Sequence, residues 1–528
     1  MIALMILANR ISVPAPLVLV PAGVLLGFVH WFPHIELNPD LVLLVFLPPL
    51  VYTAGAVSSA QDFHRNLRSI LLLSVGLVLF TMSIVAAAAH YAIPGMGWPA
   101  AFVLGAIVAP TDDVAAASIA RRLALPHRIV SLLEGEGLMN DAAALTAFRF
   151  GAIAVVKGYF SFSGALLTFL VIVLGETAFG LLVGWTAARI RERLNDPSLE
   201  IAVSLVTPFV AYLPPERLGG SGVLAAAVAG LYIGRQLSTR FTSELRLSGM
   251  PVWQMLAFVL NHLLFLVTGL QLKLVLHHTS EIPASTLLYY GALISAVVIV
   301  TRFIWVYPGA YLSRALSARI RERDPIPPWR HLFVVSWTGM RGAISLAAAL
   351  GIPVLTEAGS PFPDRNLMIF ISFCVILSTL VLQGVTLAPL CRWLGVDLDG
   401  ARERRRLHHK GAAARIEAAR AVLGVIDDWA EGGEFAPETM IHLREEYERQ
   451  PRRLELHQDE RSDQASGQLS RQEALLHLKA LSIERSKILA LWDEGRISDA
   501  ELRIIELDLD LQEARLKQNP HVTSEPER

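Results

Sequence analysis

The chain has 528 residues, 53% of them hydrophobic and 18% charged, with a mean hydropathy of +0.47 and a formal net charge of −1. Soluble domains carry about 25% charged residues, so this composition excludes a wholly soluble protein and points to a membrane protein with some soluble portion. The small net charge conveys nothing about partners, because charge is unevenly spread: roughly half of all Asp, Glu, Lys and Arg lie after about Gly395.

A hydrocarbon core needs about 20 mostly apolar residues to cross. Met1 to Ala8 is apolar but short and is followed at once by Asn9 and Arg10; it reads as the end of a first membrane helix whose beginning is missing. Candidate spans then fall near 13–31, 40–56, 69–93, 98–120, 128–156 and 163–188. Six more fall near 198–214, 219–235, 251–274, 285–312, 330–352 and 366–391. With the short start, the total is about thirteen. Basic residues collect in alternate loops: Arg65 and Arg68; Arg121, Arg122 and Arg128; Arg189, Arg191 and Arg193; Arg235, Arg240 and Arg246; Arg314, Arg319, Arg321 and Arg323. Intervening loops such as 31–40 and 352–364 are nearly free of Lys and Arg. The alternation places the tail from Arg402 in the cytoplasm and the N-terminus outside.

The membrane part, 1–395, is followed by a helical tail, 396–528. Ala412 to Ala430 and Ala474 to Trp492 carry apolar residues at helical spacing, Asp459 to Ser470 is a polar loop, and Ser498 to Glu501 opens a third helix with a capping-box pattern. Cys374 and Cys391 lie in or near the last span, with no disulfide or metal spacing. No cofactor and no nucleic-acid partner are expected, and no nucleotide-binding loop or nucleophile motif indicates an enzyme.

The chemistry concentrates in two acidic clusters inside adjacent spans, Pro110-Thr111-Asp112-Asp113 and Glu134-Gly135-Glu136 with Asn140-Asp141. A carboxylate at membrane depth costs about 2.5–3.5 kcal/mol on insertion scales, so it persists where it has a function or a partner. Pro110 lacks a backbone donor and disfavours regular helix before it, so Asp112 sits beside a helix break, where unpaired backbone holds ions in transporters. A competing reading puts Asp112 and Asp113 at a cytoplasmic helix end near Arg121 and Arg122. Glu136 and Asn140 share a helix face, and Asp141 is turned about one hundred degrees from Asn140. Desolvation penalises a bare carboxylate, which lets a proton and a small cation compete for Asp141. Glu134 and Glu136 cannot both be buried, charged and unpaired. Arg341, between Gly339 and Gly342 in what reads as a second interrupted helix, is the expected partner. Arg149, Glu176, His262 and Arg302 read as structural or interfacial.

These residues, with Phe46-Leu47-Pro48-Pro49-Leu50 and Gly339-Met340-Arg341-Gly342, resemble bacterial Na+/H+ exchangers of the monovalent cation:proton antiporter superfamily. The branch is the one with Asn-Asp, and the tail is similar to that of the long forms. The resemblance implies an all-α polytopic membrane protein, with about thirteen transmembrane helices in two inverted repeats and two crossing broken helices. It implies a homodimer in the bacterial inner membrane that exchanges Na+, Li+ or K+ for H+, with membrane lipid around it. Asp141 would be the ion and proton carboxylate and would share Na+ with Asp112. Thr111 and Asn140 would support the site, and Glu136 would pair with Arg341. The chain departs from the family pattern at Asp113, Gly137 and Thr53. A K+/H+ antiporter, or a membrane ion sensor or channel regulated by the tail, is the alternative.

Overall fold

The computed structural model describes residues 1–10, 13–29, 38–158, 162–194, 196–237, 243–277, 279 and 282–432, and beyond them 438, 441–445, 447–448, 476–488, 490, 494, 505 and 509–513. Among these residues the structure is helical apart from one isolated bridge between Leu355 and Pro361. Two compact units are present, Met1–Ala401 and Arg402–Arg528.

Eight described helices are long and apolar enough to cross a membrane: Pro39–Val57, Ala60–Ala92, His127–Lys157, Ser163–Arg191, Ser198–Arg217, Gly249–His277, Ala284–Leu316 and Arg365–Leu394. Shorter apolar helices cover Ala15–Gly27, Trp98–Val108 and Val223–Gln236, and Ile2–Arg10 precedes them. Local chemistry sets the starts. Asn38 accepts from Asp40 N at 2.9 Å, Ser59 from Asp62 N at 3.1 Å and Asp196 from Ser198 N at 2.7 Å, each satisfying an orphan donor of a first turn. Ser59 caps its helix nine residues earlier than the apolar pattern suggests. Arg65 and Arg68 therefore lie within the helix Ala60–Leu71, Arg68 in its last turn, not in a loop.

Two spans are interrupted. The first comprises Trp98–Val108 and Asp113–Arg122, and the second Trp329–Trp337 and Ala343–Leu350. Asp112 N donates to Met340 O at 2.7 Å, so the two breaks meet and cross. They lie on a seam between two apolar clusters: Val108, Leu138 and Ala348 belong to one, Ala115, Leu133 and Met340 to the other. Placing the breaks on this seam keeps irregular backbone inside protein and away from lipid.

Backbones approach closely where side chains are absent. A Cβ on Gly23 would overlap Leu266 O and one on Gly269 would overlap Val20 O, which locks Ala15–Gly27 onto Ser243–Leu270. The outer surface is apolar: Leu167, Val171 and Leu174 on the Phe162–Arg191 helix are each more than 60% exposed, as a lipid-facing helix requires. One turn carries strain. Ala124 has φ 55° after the Asp113–Arg122 helix, where Leu125 N donates to Ala120 O at 3.0 Å in the manner of a glycine C-cap. Ala124→Gly should stabilise the protein by about 1 kcal/mol, seen as a raised unfolding temperature of the purified protein.

In the second unit, Ile416, Ala419, Ile426, Leu481 and Leu509 are buried, and Arg485 pairs with Asp510 at 2.7 Å and Glu513 at 3.0 Å. The helix Val396–Gly432 contains the expected Ala412–Ala430 segment, and residues 476–488 are helical within the second. The loop 459–470 and the cap at Ser498 lie outside the described residues.

Candidate functional site

The site is built on three elements: the two breaks and the middle of His127–Lys157. Ending Trp98–Val108 at Pro110 leaves the carbonyls of Val108 and Ala109 without helical partners. Arg341 takes them, donating from Nε to Val108 O at 3.0 Å and from Nη2 to Ala109 O at 3.3 Å. Its Nη1 donates to Gly339 O, in its own break, and its backbone N donates to Thr379 Oγ1 at 3.1 Å. Thr379 opens a π-helical turn, Thr379–Gln383, inside Arg365–Leu394. Arg341 thus donates to exposed carbonyls of both breaks, Val108 and Ala109 in the first and Gly339 in the second.

Glu136 therefore has a different partner from the expected one. Arg302, near the middle of the 33-residue helix Ala284–Leu316, grips it bidentately, Nη1 to Oε1 at 2.5 Å and Nη2 to Oε2 at 2.7 Å. Arg302 is 1% and Glu136 2% exposed. Arg302 Nε donates to Val335 O at 3.0 Å, which ties the pair to the second broken span. The expected Glu136–Arg341 pair is corrected for a physical reason: the orphan carbonyls around Arg341 already use its donors, whereas the helix around Arg302 is continuous and leaves its fork to a carboxylate. Glu134, the other acid of the cluster, pairs with Arg121 at 3.4 Å.

Thr111 joins the pair to the break. Its Oγ1 donates to Glu136 Oε1 at 2.9 Å and accepts from Asn140 Nδ2 at 2.9 Å, while Asn140 Nδ2 also donates to Thr111 O at 2.9 Å. Asn140 is 1% exposed, and its Oδ1 is buried with no protein hydrogen-bond partner. Asp112 Oδ1 accepts from Val114 N at 3.0 Å and Ala115 N at 3.2 Å, capping Asp113–Arg122. The competing reading of Asp112 as a helix-end residue thus coexists with a place in the site: Asp112, Asp141 and Thr111 line one cavity of about 60 Å³. Such a volume accepts a small ion with part of its hydration shell. Leu50, Leu264 and Phe265 supply an apolar wall, and Asn261 and Ser345 add polar groups.

The sequence singles out neither Asn261 nor Ser345, and in it Arg302 reads as structural. The available signal for Arg302 was its depth, as great as that of Arg341. Asn261 was legible only as a polar residue inside a span. Glu176, also read as structural, accepts from Ser221 N at 2.7 Å and Gly222 N at 3.1 Å and caps the helix that starts at Val223.

Carboxylate, hydroxyl and amide oxygens beside crossed, broken membrane helices, with a buried ion pair next to them, are the arrangement of a secondary transporter for small cations. The sodium/hydrogen exchanger, transmembrane family matches residues 1–393, and the chain belongs to that family. It is a multi-pass membrane antiporter and not an enzyme. An uncharacterised Na+/H+ exchanger of Mycobacterium tuberculosis is 34% identical over 520 residues, covering 97% of this chain and 93% of the relative. A sodium, potassium, lithium and rubidium/H+ antiporter of Bacillus pumilus is 32% identical, covering 93% and 72%. The sodium proton antiporter MjNhaP1 from Methanocaldococcus jannaschii has the same fold, with a TM-score of 0.58 at 20% identity, covering 73% of this chain and 93% of that one.

Proposed function

We propose that the protein exchanges Na+, or Li+ or K+, for H+ across the bacterial inner membrane, with cation and proton competing for Asp141. The observation that carries this reading is the cavity shared by Asp141, Asp112 and Thr111 at the crossing of the two breaks. Asp141 and Asp112 supply carboxylate oxygens to the cation, and the orphan Oδ1 of Asn140 is a further hard ligand of the kind an alkali ion takes. Glu136, Arg302 and Arg341 touch no transported ion in this reading. They hold Thr111 and the broken backbone in place. The antiporter of B. pumilus, named for four alkali cations, supports a site that accepts more than Na+.

Residues 1–395 form the transport domain and 396–528 a cytoplasmic tail, with the N-terminus outside. Alternation of basic residues supports this orientation. The family resemblance supports about thirteen spans and a homodimer. Because Asp141 carries either the cation or a proton, the site has similar charge facing either side, and exchange is electroneutral. Proton-driven uptake of radioactive Na+ into proteoliposomes without K+, with the membrane potential set by a gradient of a permeant anion such as thiocyanate, tests this. The rate should be the same at every clamped potential; a rate that follows the potential would refute electroneutral exchange.

A further inference from the structure

A second cavity, of about 70 Å³, lies between residues 68–73 of Ala60–Ala92, the first turns of His127–Lys157, the second half of Ala284–Leu316 and the start of the second broken span. Its wall is apolar: Leu72, Leu73, Leu132, Trp305, Val306 and Leu332. Its charged end carries Arg68, Arg128, Arg314 and His331. Asp324 pairs with both Arg128 and Arg314, the latter at 2.5 Å, and His331 meets Asp399 at 3.3 Å. Arg68 has no carboxylate partner among the described residues. Arg68, Arg128 and Arg314 thus face Asp324, with Asp399 on His331, so the three arginines outnumber the two aspartates by one positive charge.

An apolar trough ending in one unpaired arginine, Arg68, beside the Arg128–Asp324–Arg314 cluster, at the end of the spans assigned to the cytoplasm, matches one chemistry. An acidic phospholipid places a phosphodiester near Arg68 and the first methylenes of an acyl chain in the trough. Inorganic phosphate would leave the apolar wall unfilled. Position gives the occupant a consequence. Val306 lies one helical turn beyond Arg302, and Leu132 one turn before Glu136. The carbonyl of Val335, another lining residue, accepts from Arg302 Nε. The Trp305 indole donates to Leu72 O at 2.9 Å, tying Ala284–Leu316 to Ala60–Ala92 across the trough. A chain lodged there packs against the helices that hold the Glu136–Arg302 pair.

We propose that this cavity binds an acidic phospholipid of the cytoplasmic leaflet and that its occupancy supports transport. The lipid's place in the leaflet and its effect on exchange rest on the antiport reading; binding itself does not. Gly309 lines the cavity, and a Cβ there meets no atom within 4 Å, so Gly309→Leu starts a side chain into open space beside the trough and narrows it. Arg68→Gln removes the unpaired charge. The test is native mass spectrometry of the full chain with phosphatidylglycerol or phosphatidylcholine of identical acyl chains, beside exchange rates in liposomes of each composition. The wild type should retain phosphatidylglycerol over phosphatidylcholine. Arg68→Gln should weaken retention by about fivefold, the share of one basic residue, and Gly309→Leu should weaken it at least as much. Exchange by the wild type should rise with phosphatidylglycerol content and stay flat in Gly309→Leu. Equal retention of both lipids, unchanged retention in Gly309→Leu, or displacement of phosphatidylglycerol by inorganic phosphate would overturn the site. Selective retention without exchange in any lipid would uphold the lipid site and overturn the antiport reading.

Discussion

Arg302→Ala should destabilise the protein by about 3–5 kcal/mol, because it leaves the Glu136 carboxylate buried without its counter-charge. Both side chains are almost wholly removed from the surface, and the pair is bidentate, so the variant loses two charge-assisted hydrogen bonds in a buried setting. Glu136 also accepts from Thr111, which holds Asn140. The damage should therefore reach the ion cavity, and exchange should fail in whatever protein remains folded. Adding Glu136→Gln to Arg302→Ala should recover part of the lost stability, since a neutral amide is cheaper to bury than a lone charge. Unfolding temperatures of the two single variants and the double variant, purified in one detergent, measure the coupling. Additive losses would show that the pair does not act as a unit.

The second large effect is expected at Gly342. Its backbone is extended, with φ −130° and ψ −165°, a conformation other residues adopt. The requirement is for space. A Cβ there would overlap Asp112 Oδ2 and stand 2.6 Å from Asp112 Cγ. Asp112 cannot swing away freely, because its Oδ1 caps a helix and its backbone N is bonded to Met340 O. Gly342→Ala should push the two breaks apart at the cavity. A displacement of about 1 Å at a reacting site costs about 100-fold, and exchange should fall by about that factor. Gly175→Ala, where a Cβ meets nothing within 4 Å, is the control and should exchange normally. Normal exchange by Gly342→Ala would mean that the crossing is looser than these contacts imply.

Much of this arrangement is legible in the sequence, and for stated reasons. Pro110 removes a donor, and the glycines beside Arg341 let backbones cross, so both breaks could be located from residue type. The i, i+4 spacing of Glu136 and Asn140 placed both on the face that meets Thr111. Pairing at long range was the part that could not be read. Arg302 and Arg341 are equally central arginines in apolar spans, and Glu136 lies 166 residues from the one it binds. Choosing between them requires knowing that the break exposes the Val108 and Ala109 carbonyls to Arg341, which is a fact of crossing geometry. The start of the Ala60–Ala92 helix differs from the apolar pattern for another reason. Arg65 and Arg68 look like loop residues by charge, yet the cap at Ser59 commits the chain to helix, and long arginine side chains reach the membrane edge from within it. Asn261 enters the cavity by packing alone, and no local pattern announces it.

The central claim is that Asp141 is the carboxylate for which cation and proton compete. It is tested most directly in liposomes holding purified protein and a preset pH gradient, read with a pH-sensitive dye as Na+, Li+ or K+ is added. The account predicts that at least one alkali cation collapses the gradient in the wild type, and that none does so in a folded Asp141→Asn variant. Cation-driven proton movement of wild-type rate in that variant would contradict it.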